Sequence, residues 1–205
     1  LKQDTLPTII NFCPTGMLPT KAVNRSVPIS PAEIIEQTHE AYEIGITIAH
    51  LHARLENEKP TYLPAVYRDI IEGVRKYCPE LIVCASTSGR DFPEFEKRSA
   101  VIELEPDMCS LTLSSLNFLR AASVNAPDMI NALLDKMLDL GVHPEFECFG
   151  MGMINYGKTL LQARNIKRPV YWNLIFGNIA GLQPTLSQMG TAISEIPDNH
   201  YLALG

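Results

Sequence analysis

The stretch ITIAHLHAR, residues 46–54, places two histidines one residue apart at the end of an apolar, β-branched run. Alternate residues of a strand point to opposite faces, so His50, His52 and Arg54 share one face. Successive same-face residues lie roughly 6.6 Å apart at Cα, which lets two imidazoles converge on one ion. Catalytic zinc takes three protein ligands plus water or substrate, and histidine nitrogens suit it. The pair predicts either a metal site or two buried histidines hydrogen-bonded to neighbouring strands.

The elements that position these histidines follow an alternating pattern of apolar runs and helical stripes. Ser30, Pro31 and Glu33 predict a helix start, with Ser as N-cap, Pro at the first helical position and Glu three residues after the cap. Gly45 and Gly141 are placed to end two of the helices. Strands are predicted over residues 8–13, 46–54, 81–87, 108–113, 145–149, 170–177 and 201–205. Helices are predicted in the intervals, including 94–104, 152–164 and 184–194.

Continuously apolar strands that alternate with helices indicate a parallel sheet that is covered on both sides or closed into a barrel. The first loop, PTGMLPT, does not match the GxGxxG turn of a doubly wound sheet. We therefore predict an α/β fold, a (β/α)8 TIM barrel. Residues 1–205 are expected to form a single barrel domain with seven of the strands. Because such barrels run to about 250 residues, we expect the domain to be incomplete at its C-terminus.

The predicted fold favours the metal interpretation of the histidine pair. Chemistry in these barrels gathers at the C-terminal ends of the strands, where His50 and His52 lie. The other three histidines, His39, His143 and His200, are expected to be surface or packing residues.

Composition and charge exclude several classes of partner. The formal charge of −6 and the pI near 5.4 argue against a nucleic-acid or anionic-membrane surface. We find no apolar run that could cross a bilayer, and the opening LKQDTLPTII lacks the features of a signal peptide. The five cysteines form no CxxC pair, which predicts reduced core thiols and a cytoplasmic location.

Seven segments give the chain a resemblance to a known family, the β-keto acid cleavage enzymes, which are zinc-dependent (β/α) barrels. The matching segments occur in order: PTGMLPT, VPISPAEI, HLHAR, CASTSG, PDMCSLTLSSLNF, PEFECFGMGM and NLIFGNIAG. Each segment alone is a weak signal, whereas the ordered set spans nearly the whole chain and is specific.

The resemblance implies an enzyme that converts a β-keto acid and acetyl-CoA into acetoacetate and the CoA ester of the shortened acid. It implies Zn²⁺ as cofactor and acetyl-CoA as co-substrate. Zinc as a Lewis acid suits the polarisation of a keto acid, the formation of an enolate and the later retro-Claisen cleavage by the CoA thiolate. The resemblance also implies a homo-oligomer, commonly a tetramer.

The resemblance also assigns roles to individual residues. His50 and His52 match the zinc-binding histidines, Ser86 and Gly89 match substrate contacts, and Ser110 matches a hydroxyl contact. Such groups can donate to carboxylate and carbonyl oxygens, although strand-end hydroxyls also cap the following loops. Two further residues, Glu145 and Glu147, share a face and are expected either to orient a histidine or to form a cap or buried ion pair.

Two departures from the family pattern stand out. The third zinc ligand, a Glu, and an essential Arg and Asp belong to an eighth strand that is expected beyond Gly205, so residues 1–205 alone are expected to be inactive. The family member that acts on an amino-substituted keto acid has a Glu where this chain has Leu18. Since Leu leaves a cation desolvated, we predict a substrate tail that is neutral or apolar. In the same loop, Lys21 and Arg25 are expected to be solvated charges rather than anion contacts.

Two other functions compete with this prediction. One is a zinc-dependent barrel hydrolase or aldolase that does not use CoA, although such enzymes usually add His or Lys ligands on later strands. The other is a non-catalytic metal-binding barrel subunit.

Overall fold

The computed structural model describes residues 8–205, which divide into two compact units. The first unit contains the described residues up to Thr61 together with Ala65–Cys84. The second contains Tyr62–Pro64 and Ala85–Gly205. Within the described range, the structure has no helix with the length and apolar character needed to cross a membrane. That residues 1–205 form one domain stays a prediction.

The first unit is an alternating arrangement of strands and helices. Its elements are β1 (Asn11–Phe12), α1 (Pro31–Glu43), β2 (Ile48–Leu51), α2 (Pro64–Tyr77) and β3 (Ile82–Ala85). The strand order is β1-β2-β3, and β1 pairs with β2 in parallel with Asn11 opposite Ile48. All four residues of β2 are buried, as expected for a strand covered on both faces. This burial explains why the run before the histidines is continuously apolar.

The second unit repeats the pattern with four parallel strands. Its elements are α3 (Phe95–Ser99), a 3₁₀ helix (Ala100–Leu104), β4 (Met108–Thr112), β5 (Leu116–Asn117), β6 (Ala122–Ser123), α4 (Pro127–Asp139), β7 (His143–Cys148), α5 (Met151–Ala163), β8 (Tyr171–Leu174), α6 (Leu186–Ser194) and β9 (Tyr201–Leu204). The strand order is β4-β7-β8-β9, and each neighbouring pair is parallel. The short hairpin β5–β6 is antiparallel and separate.

The core of the second unit contains a buried aromatic pair. Phe146 on β7 and Trp172 on β8 are fully buried and pack edge to face with ring centroids 5.1 Å apart. Gly157 on α5 permits this arrangement, because a Cβ there would lie 2.6 Å from the Trp172 ring. The helix can approach the sheet closely only without a side chain at this position.

The elements confirm the α/β prediction and most of its boundaries. All seven predicted strands are present, each within or near its predicted range. The hairpin β5–β6 was not predicted, because its two-residue strands have no detectable periodicity. Gly45 and Gly141 follow α1 and α4 with φ of 105° and 73°, a backbone region that glycine adopts without strain.

The start of α1 forms the predicted capping box. The Ser30 side chain accepts from the Glu33 backbone N–H, and the Glu33 carboxylate accepts from the backbone N–H groups of Ser30 and Ile29. Lys21 adds an ion pair with Glu33 at 2.5 Å. The hydrogen bond from Lys21 and those from the two backbone amides lower the pKa of Glu33 to about 2. The capping box therefore links the first loop to the first helix.

Arg54 connects the loops that follow β1 and β2. Its guanidinium is buried, and it donates to the backbone carbonyls of Gly16 at 2.6 Å, Pro19 at 2.9 Å and Glu58 at 2.8 Å. The Glu58 carboxylate in turn accepts from the backbone N–H of Lys21 at 2.9 Å. Since a buried guanidinium must have its donors satisfied, these contacts fix the conformation of the loop.

Replacement of Glu33 by Gln is expected to destabilise the protein at neutral pH by less than about 1 kcal/mol, since the Lys21 pair is solvent-exposed. The folded pKa lies below the ordinary value of 4.5, so the stabilisation by the carboxylate is present above pH 4.5 and is lost as the pH falls toward 2. Urea unfolding of parent and Glu33→Gln should therefore differ most near pH 7 and converge in acid. Glu36→Gln, an exposed site on the same helix, is the control, and a difference independent of pH would contradict the prediction.

Replacement of Arg54 by Lys is expected to destabilise the protein by about 2–4 kcal/mol, because an ammonium cannot reach three separated carbonyls. Limited proteolysis should then cut the segment 15–21 faster, and urea unfolding should report the loss of stability. Arg25→Lys, an exposed arginine after the same loop, should change neither result. Parent-like stability and parent-like protection of the segment in Arg54→Lys would refute the role of Arg54.

Candidate functional site

The two histidines lie at the C-terminal end of β2. His50 belongs to the strand and is buried, whereas His52 follows the strand end and is half-buried. Their ring centroids are 5.1 Å apart and the ring planes are inclined by 38°. The imidazoles are therefore adjacent, as the spacing predicted.

Cys84 on the neighbouring strand β3 is a further potential ligand in the first unit. Its Sγ lies within 4.8 Å of an imidazole nitrogen of His50. The sequence interpretation treated Cys84 only as a core thiol, and its place at a strand end before Ser86 was the signal that it missed. Imidazole and thiolate are both donors that zinc accepts, so these residues fit the metal that the resemblance implies.

Two other cysteines behave as the predicted core thiols. Cys109 and Cys148 are fully buried on β4 and β7, and burial raises the pKa of both thiols well above the ordinary value. Such thiols remain protonated and are poor nucleophiles and ligands.

The loop residues after β1 differ in their exposure. Leu18 is 71% exposed and presents an apolar side chain to solvent. Lys21 forms an ion pair with the Glu33 carboxylate, and its expected role as a surface charge rather than an anion contact stays a prediction.

The predicted substrate-binding hydroxyls lie in the second unit and have local partners. Ser86 is buried, and its Oγ accepts from the backbone N–H of Ser88 at 3.2 Å. Ser110 is buried on β4, where its Oγ accepts from the backbone N–H of Thr87 at 3.2 Å and its carbonyl accepts from Thr87 Oγ1 at 2.6 Å. Both serines thus accept hydrogen bonds from loop backbone, as expected if they cap the following loops. The hydroxyl hydrogen of Ser110 can still be donated to another group.

Gly89 is in contact with a second buried arginine. A Cβ at Gly89 would lie 2.6 Å from Nη1 of Arg98. Arg98 donates from Nε to the Thr87 carbonyl at 2.9 Å and from Nη2 to the Asn125 side chain at 2.8 Å. Burial lowers the pKa of Arg98 to about 10 against the opposing effect of Glu147, so the guanidinium is charged at neutral pH. The close approach of Arg98 therefore explains why residue 89 is a glycine, without any contact to substrate.

The two glutamates of β7 have different surroundings within the second unit. Glu145 is fully buried, and its Oε1 accepts from Nδ2 of Asn173 at 2.9 Å. Glu147 is half-buried, and its Oε2 accepts from Oγ1 of Thr112 at 2.5 Å. Glu145 lies in the middle of β7 and Glu147 near its C-terminal end, and each carboxylate is hydrogen-bonded to a residue of a neighbouring strand.

Comparison with known proteins identifies the family. Residues 7–205 match the family described as beta-keto acid cleavage enzyme. The chain is 36% identical over 173 residues to the 3-oxoadipate:acetyl-CoA acetyltransferase of Cupriavidus necator, covering 84% of this chain and 61% of that protein. It is 30% identical over 190 residues to the 3-keto-5-aminohexanoate cleavage enzyme of Acetoanaerobium sticklandii, covering 92% of this chain and 70% of that protein.

A solved structure gives the fold. The ternary complex of ObcA with a C4-CoA adduct and oxalate matches with a TM-score of 0.69 and 24% identity, covering 75% of this chain and 38% of that one. This likeness confirms the predicted fold class, part of a (β/α)8 barrel. The chain spans 61% of the length of its Cupriavidus relative, and it belongs to the β-keto acid cleavage enzyme family.

Proposed function

We propose that the full-length protein is a zinc-dependent β-keto acid cleavage enzyme. The new bond joins C2 of the keto acid to the acetyl carbon, the bond between C2 and C3 breaks, and the CoA thiolate takes the remaining acyl group. The products are acetoacetate and a shortened acyl-CoA. The observation that carries the proposal is the adjacent imidazole pair at the end of β2 in a chain of this family.

His50 and His52 are the proposed metal ligands, through neutral imidazole nitrogens. When bound, Zn²⁺ supplies Lewis acidity that polarises the keto acid and favours loss of its C2 proton. Cys84 is added as a candidate ligand, because a thiolate sulfur is a zinc donor. Its side chain is buried, so a bound cation would compensate a negative charge there.

The second unit supplies the proposed contacts to the keto acid. The Ser110 Oγ accepts a hydrogen bond from the backbone N–H of Thr87, and its O–H can donate to a carboxylate or carbonyl oxygen of the substrate. Ser86 and the backbone at Gly89 are proposed to contact the same end of the substrate. We assign the general base to no residue of the described range, because the resemblance places it on an eighth strand.

Location and assembly stay predictions. Reduced thiols favour the cytoplasm, and the family resemblance favours a homotetramer.

Metal content is expected to be about one zinc per chain in the full-length protein, measured by elemental mass spectrometry. His50→Ala and His52→Ala should retain little zinc. His39→Ala is the control, since His39 is half-exposed on α1 beside Glu43. Zinc content of Cys84→Ser then tests whether the sulfur is a further ligand. A folded full-length protein without zinc would return both histidines to the role of packed core residues.

Acetoacetate formation is expected to require acetyl-CoA, which separates this function from a hydrolase, an aldolase or a non-catalytic subunit. Because Leu18 offers an ammonium no counter-charge, 3-oxohexanoate should exceed 3-keto-5-aminohexanoate in kcat/KM. Coupled assays with the two acids, with and without acetyl-CoA, test both points. Turnover without acetyl-CoA would contradict the proposed reaction, and preference for the aminated acid would contradict the role of Leu18.

A further inference from the structure

Arg90 is held in a fixed orientation in the second unit. It follows Gly89 directly and is half-buried. Its guanidinium carbon lies 3.8 Å from the centroid of the Phe118 ring, and Phe118 packs edge to face on Phe149 with centroids 6.0 Å apart. Stacking on an aromatic face leaves the N–H groups pointing outward in the guanidinium plane. The two aromatic rings thus define where the donors of Arg90 point.

One donor of Arg90 lacks an acceptor. Its Nε is buried and has no hydrogen-bond partner within residues 8–205. Arg98 differs, because its own Nε and Nη2 donate to Thr87 and Asn125. A buried donor without an acceptor costs about 1–3 kcal/mol, and such a group in a native protein calls for an explanation. A ligand oxygen would supply the missing acceptor.

The charges around Arg90 favour an anion. Burial lowers the pKa of both Arg90 and Arg98, and the carboxylate of Glu147 opposes this effect in both. Glu147 is one half-buried carboxylate that acts electrostatically on two guanidiniums, and it also accepts a hydrogen bond from Thr112. Asp91 adds a negative charge near Arg90, but it is exposed and therefore screened by solvent. The cluster of Arg90, Arg98 and Glu147 retains positive charge in a poorly solvated place.

We infer that Arg90 binds a carboxylate at the far end of the keto acid, so that the substrate is a dicarboxylic β-keto acid. A carboxylate matches the fork formed by Nε and one Nη of a guanidinium. The near end of the acid is already assigned to the serines, and Arg90 directly follows the Ser86–Gly89 segment. The Cupriavidus relative, 36% identical, is named for 3-oxoadipate, which carries two carboxylates. The inference rests on the proposed function. It predicts an anionic substrate tail in place of the neutral or apolar tail that was expected from Leu18.

The test compares two acids of equal carbon number, 3-oxoadipate and 3-oxohexanoate, in which a methyl group replaces the far carboxylate. Binding of each acid is measured by titration calorimetry without acetyl-CoA, and kcat/KM is measured with it. The full-length protein should prefer 3-oxoadipate. Arg90→Gln should weaken both binding and kcat/KM for 3-oxoadipate by about 10- to 150-fold and leave 3-oxohexanoate within about threefold.

Two variants complete the design. Arg90→Lys keeps the charge without the fork, so its binding and kcat/KM for 3-oxoadipate should lie between those of the parent and of Arg90→Gln. It replaces Arg90→Gln in the comparison if that variant does not fold. Arg120→Gln removes an exposed arginine from the turn between β5 and β6 and should leave both acids unaffected.

Three outcomes would overturn the inference. An equal loss for both acids would place Arg90 at the shared end of the substrate or in a structural role. Loss of discrimination between acetyl-CoA and acetyl-dephospho-CoA in Arg90→Gln, with no change in tail preference, would assign the anion to a CoA phosphate. Equal binding of both acids by the parent would exclude a tail carboxylate site. If no keto acid is cleaved yet 3-oxoadipate binds through Arg90, the proposed reaction fails while this site stands.

Discussion

Satisfaction of buried guanidinium groups is the constraint on which the loops of this chain depend. Arg54 in the first unit donates to carbonyls of two loops, and Arg98 in the second unit donates to the Thr87 carbonyl and the Asn125 side chain. A buried cation with missing partners would be strongly unfavourable, so each arginine selects the one loop conformation that supplies its acceptors. The loops after the strands are thereby fixed although they contain little regular structure.

Parallel strand pairing decides where the polar side chains of each unit lie. Apart from the hairpin β5–β6, the strand pairs whose register is defined in each unit are parallel, so the C-terminal ends of these strands and the loops that follow them lie at one edge of the unit's sheet. The histidine pair and Cys84 lie at that edge of the first unit. In the second unit, Ser110 and Glu145 lie in the middle of their strands and Glu147 lies near the C-terminal end of β7. Most of the remaining strand positions carry apolar residues, which keeps these polar groups poorly solvated and strengthens their electrostatic interactions.

The groups assigned to the shared part of the substrate differ in character from those assigned to its variable part. The hydroxyls and imidazoles lie on strands or directly after them, and the serines have local partners, as the Ser110–Thr87 contacts show. Leu18 and Arg90 lie on loops, where replacement of one side chain changes the charge offered to a ligand without disturbing a strand. With the roles proposed for Leu18 and Arg90, one reaction could be kept while the preferred substrate changes through such loop positions.

The sequence by itself determined the alternation of strands and helices, the capping box of α1 and the adjacent imidazoles, because these depend on residues within a few positions of one another. It did not predict the hairpin β5–β6, whose strands are too short to show a period. Only the tertiary structure decided the partners of the buried arginines. Arg54 and Gly16 are 38 residues apart and Arg98 and Asn125 are 27 apart, and no local pattern encodes such pairs. The same holds for Arg90 on Phe118 and for Cys84 beside His50, since chain folding alone brings distant residues into contact.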